Sequence, residues 1–191
     1  MRMVRRLRAS YSACTADEGR APQAITPMSH PLKTAAALLL AATCSLAHAD
    51  GARSEKNMTL DLANQIAAAA VASCAASGYA VSATVVDRAG GVRAVQRADN
   101  AGPHTLAASE RKAWTSASAR SPTLAMMENA QKNAGAANLV HIPGFLLLGG
   151  GVPVKVGNEV IGAVGVGGAP GGQLDEQCAL AALDKVKGLL Q

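Results

Sequence analysis

Apolar residues recur along this chain in two rhythms, and the switches between them mark out the elements. Between Thr59 and Ser77, Leu62, Ile66, Ala70 and Cys74 fall every four residues, one stripe down an α-helix. Thr59 suits the cap of the first turn, Asp61 the positive end of the helix dipole, and Gly78 the closing position. The rhythm then shortens to two. VSATVVD (81–87) and VRAVQRA (92–98) flank Arg88-Ala89-Gly90-Gly91, and β-branched alternation around a glycine turn predicts a hairpin. Past the loop DNAGPH, residues 105–119 predict a polar-rich helix, and Pro122 can open a second over 122–133. A loop with His141, Pro143 and Gly144 leads through FLLL (145–148) to three glycines. VPVKV (152–156) and VIGAVGVG (160–167) predict a second hairpin, loosely echoing the first. Leu174, Cys178, Ala182, Val186 and Leu190 then stripe a last helix over 173–190. The order α-ββ-αα-ββ-α predicts an α/β (α+β) domain over 59–191, a mainly antiparallel sheet flanked by helices. A short polar linker, 50–58, precedes it.

The first 49 residues do not belong to that pattern. Lys33, the apolar stretch TAAALLLAATCSLA (34–47) and Ala47-His48-Ala49 have the layout of a secretory signal peptide cleaved after Ala49. Met28 would give it a compact basic start, MSHPLK, so a leader over 1–49 with its functional part at 28–49 is expected. Export places the domain in the periplasm or outside the cell. The formal charge of +5 is concentrated here: residues 1–49 carry six basic and two acidic side chains, the rest twelve and eleven. The domain therefore has no basic excess for nucleic acid, and at 2% aromatic residues it has few rings on which bases could stack. No apolar run reaches the length of a membrane span, so no stable anchor is expected. Cys74 and Cys178 are the cysteines left after cleavage; an oxidising compartment permits a bridge, and two buried thiols remain the alternative.

The common catalytic signatures are missing. GAVGVGGAPGG has Gly165 and Gly167 in dinucleotide-loop spacing but Pro170 at the closing glycine, with no parallel βαβ unit to follow. Those glycines are expected to let the strand and the following helix pack closely. There is no G-x-S-x-G elbow, H-E-x-x-H or C-x-x-C. Asp175 and Glu176 read as acids of a first helical turn.

Four ordered blocks carry a resemblance. VVDRAGG (85–91), RADNAGPHT (97–105), SERKAWTSASARSPT (109–123) and IPGFLLLGGGVPVKVGNEVIGAVGVGGAPGGQLDEQCA (142–179) resemble the haem-binding and haem-degrading family of the glycolate-locus G protein and the secreted streptomycete haem-binding protein. The C-terminal domain of certain cobalamin adenosyltransferases looks related. The resemblance implies a profilin-like fold, assembly as a homo-oligomer (octamers in one branch) and haem as cofactor. It also implies a contact to haem iron from Thr115, which follows the E-R-K-A-aromatic run. Arg111 lies one helical turn before Thr115 and offers a bidentate fork to a propionate. Trp114 offers a flat wall, with Glu110 its neighbour. His104, just before this helix, is the competing iron ligand, since imidazole is the commoner protein donor to haem. Trp114 also suits a core position, and Glu110, Arg111 and Lys112 a solvated face. The expectation is an exported protein that sequesters, delivers or senses haem, with haem degradation as a further activity. The rivals are an accessory protein binding a corrinoid or small hydroxy acid, and a structural oligomeric module.

Overall fold

A computed structural model describes residues 51–191; the expected leader and its cleavage site lie outside them. The elements are α1 (Leu60–Ala76), β1 (Ser82–Asp87), β2 (Val92–Arg97), α2 (His104–Ala119), α3 (Thr123–Lys132), a short α4 (Ala134–Ala137), β3 (Gly151–Val156), β4 (Glu159–Gly167) and α5 (Gly172–Lys185). Single 3-10 turns follow α4 and α5, so the last helix ends short of the expected residue 190. The α1 caps are as read: the Leu62 amide donates to Thr59 Oγ1 at 3.3 Å, and Gly78 follows the helix at φ +81°.

The four strands form one antiparallel sheet in the order β2-β1-β4-β3, so the two hairpins meet along their first and last strands. Thr84 stands between Val95 on β2 and Gly165 on β4. Alternation along the strands divides the two faces. Ala83 and Val85 of β1, with Val164 and Val166 of β4, join Ile66, Ala70, Ala179 and Ala182 in the main core beneath α1 and α5. The disulfide Cys74–Cys178 ties those two helices together, with Cα atoms 5.3 Å apart; of the two fates left open for these cysteines, the bridge is the one formed.

The opposite face is built differently. It carries α2, whose buried residues include Thr105, Ser109, Lys112, Thr115 and Ser116, while its apolar contacts form only a small cluster of Val86, Ala113, Ala117 and Ala163. Hydroxyl pairs replace hydrocarbon: Ser82 Oγ lies 2.7 Å from Thr105 Oγ1, and Thr84 Oγ1 lies 2.8 Å from Ser109 Oγ. The helix can approach so closely because β4 carries glycine beneath it at 165 and 167. A β-carbon at Gly165 would collide with the Ser109 carbonyl oxygen and the Ala113 nitrogen. The expected close packing is there, but the helix involved is the earlier α2 and not the one that follows β4. Residues leading into α1 are pinned to the domain: Met58 is buried, and the Arg88 amide donates to Asn57 Oδ1 at 3.0 Å.

Candidate functional site

The second half of α2 brings three of the five expected residues against one loop, 144–146. Gly144 turns that loop at φ +88°, which allows it to double back over the helix. Arg111 donates from Nη2 to the Phe145 carbonyl at 3.0 Å and from Nε to Gly144 at 3.4 Å. Thr115 is fully buried, and its Oγ1 accepts the Leu146 N–H at 2.9 Å. Its hydroxyl therefore meets a ligand only where this loop stands away from the helix. Trp114 is half-buried and meets Phe145 edge to face, with ring centroids 5.7 Å apart and planes at 74°. Two glycines leave room for the indole. A β-carbon on Gly144 would come to 3.2 Å from Cζ3, and one on Gly90 to 2.8 Å from Cδ1.

Glu110 and His104 stand apart from this group. Glu110 is exposed on the outer side of α2. His104 is the exposed first residue of the helix, eleven positions before Thr115, or about 16 Å along the axis. The two candidate iron ligands thus lie at opposite ends of one helix, and a single iron cannot reach both within one chain.

Lys112, read as part of a solvated face, is 1% exposed. Its ammonium donates to Asp175 Oδ2 at 2.7 Å and to the Val166 carbonyl at 2.9 Å, while Asp175 Oδ1 accepts the Ala169 N–H at 2.9 Å. This ion pair fastens α2 to α5. The glycine run makes room for it: Gly150 sits at φ +120°, where a β-carbon would crowd the Lys112 ammonium, Asp175 and the Val166 carbonyl. Burial pushes the Asp175 carboxyl up, and the Lys112 charge opposes that rise. Burial also pushes up Glu176, opposed by the N–H groups of Gly150 and Leu124; its Oε2 is enclosed without a hydrogen-bond partner among the described residues. Asp175 is therefore an interior group and Glu176 a half-buried one with one oxygen enclosed, not simply the solvated first turn of a helix. The sequence does hold a signal for the pair, a lysine in a helix whose neighbours three and four residues away are three hydroxyl residues and an alanine.

Beyond Gly90 the indole borders a second group of residues that sequence reading had not singled out. Arg88, in the β1–β2 turn, is paired with Glu159 at 2.5 Å and Glu55 at 3.2 Å. Arg120 ends α2 in the left-handed conformation, φ +54°, its N–H donating to the Ser116 carbonyl. The sign available in the sequence was Ser121-Pro122, which requires the helix to stop there.

Fold and site together define a class: a small α+β domain, with a four-stranded antiparallel sheet between two helical layers and the half-buried Trp114 and Phe145 on the α2 side. The HbpS-like family, described as haem degrading proteins, matches residues 58–184, and this chain belongs to it. Escherichia coli K12 protein GlcG is 37% identical over 109 residues, 57% of this chain and 80% of GlcG. The crystal structure of a double mutant of Streptomyces reticuli HbpS is similar over 84% of this chain and 99% of its own, at 35% identity and a TM-score of 0.67. Klebsiella pneumoniae ORFY covers 71% of this chain and 94% of its own, at 32% identity and a TM-score of 0.67.

Proposed function

We propose that this is an exported haem-binding protein that sequesters, delivers or senses haem. The observation that carries this reading is membership of the haem-degrading HbpS-like family across nearly the whole domain. The residues on the α2 side fit the ligand. Trp114 and Phe145 supply apolar surface for a flat macrocycle, and Arg111 keeps guanidinium N–H groups beyond those given to the loop carbonyls for a propionate. The iron ligand is one of two: His104, whose imidazole is exposed, or Thr115, which must first release Leu146. Haem, when bound, supplies the redox chemistry of its iron. Export is supported by the leader pattern and by the disulfide, which belongs to an oxidising compartment. Self-assembly is supported by Val92 and Val95, which are about half exposed on edge strand β2 (48% and 47%).

The test is a haemin titration of residues 50–191, followed by visible absorbance. Saturable growth of a Soret band is expected, weakened in either His104→Ala or Thr115→Ala but not equally in both. A featureless, unsaturated titration would sink the haem reading.

A further inference from the structure

The pyrrole side of Trp114 faces away from the loop that holds its other edge, and it borders a cleft of about 250 Å³. Arg88, Ala89, Gly90, Trp114, Ser118 and Arg120 line it. That volume corresponds to about eight water molecules of liquid, room for a small organic molecule and far too little for a macrocycle. Its polar lining is rich in donors: two guanidinium groups, a hydroxyl and the indole N–H. Arg88 is a fixed wall, its charge offset by Glu55 and Glu159. Arg120 is different, since it makes no ion pair among the described residues. An adjoining groove, lined by Lys56, Arg88, Arg120 and Glu159 among others, adds one further cation and the carboxylate already paired with Arg88.

The backbone at Arg120 strengthens the case. A helix that ends in the left-handed region favours glycine, and any residue with a β-carbon is strained there. A cation near the helix C-terminus gains from the dipole, but it gains as much one position earlier, without the strain. The left-handed turn at 120 instead places the guanidinium at the cleft shared with Trp114.

We propose that this cleft binds a small carboxylate anion, with its charge on Arg120 and its apolar body against the indole of Trp114. A guanidinium presents a planar fork that matches a carboxylate, and a surface ring beside it favours a flat, compact molecule. The proposal does not depend on haem.

Trp114 is the sole tryptophan of the chain, so its emission reports on the surroundings of this indole, and Arg120→Gly tells the cleft from the Phe145 side. The haem-free full chain would be titrated with benzoate, with uncharged benzamide, and with inorganic phosphate, exciting at the red edge of the indole band. Benzoate should give a saturable change in emission. Its affinity should fall about ten- to a hundredfold in Arg120→Gly, the loss of one charge-assisted hydrogen bond or pair of bonds. Arg120→Lys should lie between. Glycine suits the left-handed turn, so Arg120→Gly should melt no lower than the parent, which separates loss of binding from loss of fold. An unsaturated benzoate response, or equal affinity in Arg120→Gly, overturns the proposal. Benzamide binding as well as benzoate overturns the role of charge, and saturation by phosphate alone overturns the carboxylate assignment.

Discussion

Two buried charged side chains show how much of this protein is decided at single residues. Lys112 and Asp175 are 1% and 4% exposed at their side chains, and each is the other's only ionic partner among the described residues. A buried pair is costly to break, because the survivor is left charged in the interior. Lys112→Met should therefore destabilise the domain by about 3–5 kcal/mol in urea unfolding, while Lys112→Met combined with Asp175→Leu should recover most of that loss. Glu176 makes a separate prediction in pH. Burial raises its carboxyl above the ordinary value, so the folded state holds that proton more tightly than the unfolded chain does. The Glu176 contribution then falls as pH rises through the ordinary carboxylate range to the raised value. Glu176→Gln should match the parent in melting temperature at acid pH and exceed it by a few degrees at neutral pH. A difference that stayed constant with pH would remove the carboxyl as its cause. The small and hydroxylic neighbours of Lys112 were the one sign in the sequence, while two acids in a first helical turn have the same spelling whether solvated or enclosed.

At the scale of elements, structure follows the sequence pattern where a single periodicity governs and departs from it where packing chemistry is mixed. The α1 stripe of Leu62, Ile66, Ala70 and Cys74 is buried throughout, and both hairpins lie within a residue or so of their expected bounds. Helix α2 has no comparable apolar stripe, since it lies on the sheet through hydroxyl pairs and over glycine. Its burial depends on Gly165 in a strand more than forty residues later, a relation that no local pattern expresses. The bridge between α1 and α5 belongs to this scale too. It closes a loop of sequence separation 104, for which chain entropy predicts about 4.7 kcal/mol of stabilisation. Reduction, or Cys74→Ser with Cys178→Ser, should lower the urea midpoint by a corresponding fraction, with measured losses of about 2–5 kcal/mol for bridges of this kind. Variants that unfold at the parental midpoint would show that α1 and α5 hold together without it.

For the molecule as a whole, element order and the resemblance of four blocks sufficed for the fold, which the S. reticuli HbpS double mutant shares across 84% of this chain. The expected site was only partly legible. Arg111, Trp114 and Thr115 share a loop because helical spacing places them near one another and the family blocks include that loop. That Thr115 would be enclosed, and His104 left at the far end of the helix, depended on how 144–146 folds back. Arg88 and Arg120 escaped notice because they are distant in sequence and come together only when the β1–β2 turn meets the end of α2.

The disulfide has a consequence for how this protein fails. The bridged cysteines lie in the first and last helices, so all four strands fall between them in the chain. A protease that cuts in the loop after β2, or in the long approach to β3, yields two pieces that stay linked as one particle until a reductant arrives. Tension applied to the two ends of the domain is likewise carried by the sulfur–sulfur bond and does not reach the sheet. Outside a reducing environment the stretch from Cys74 to Cys178 behaves as a closed ring, and a single cleavage within it does not release its halves.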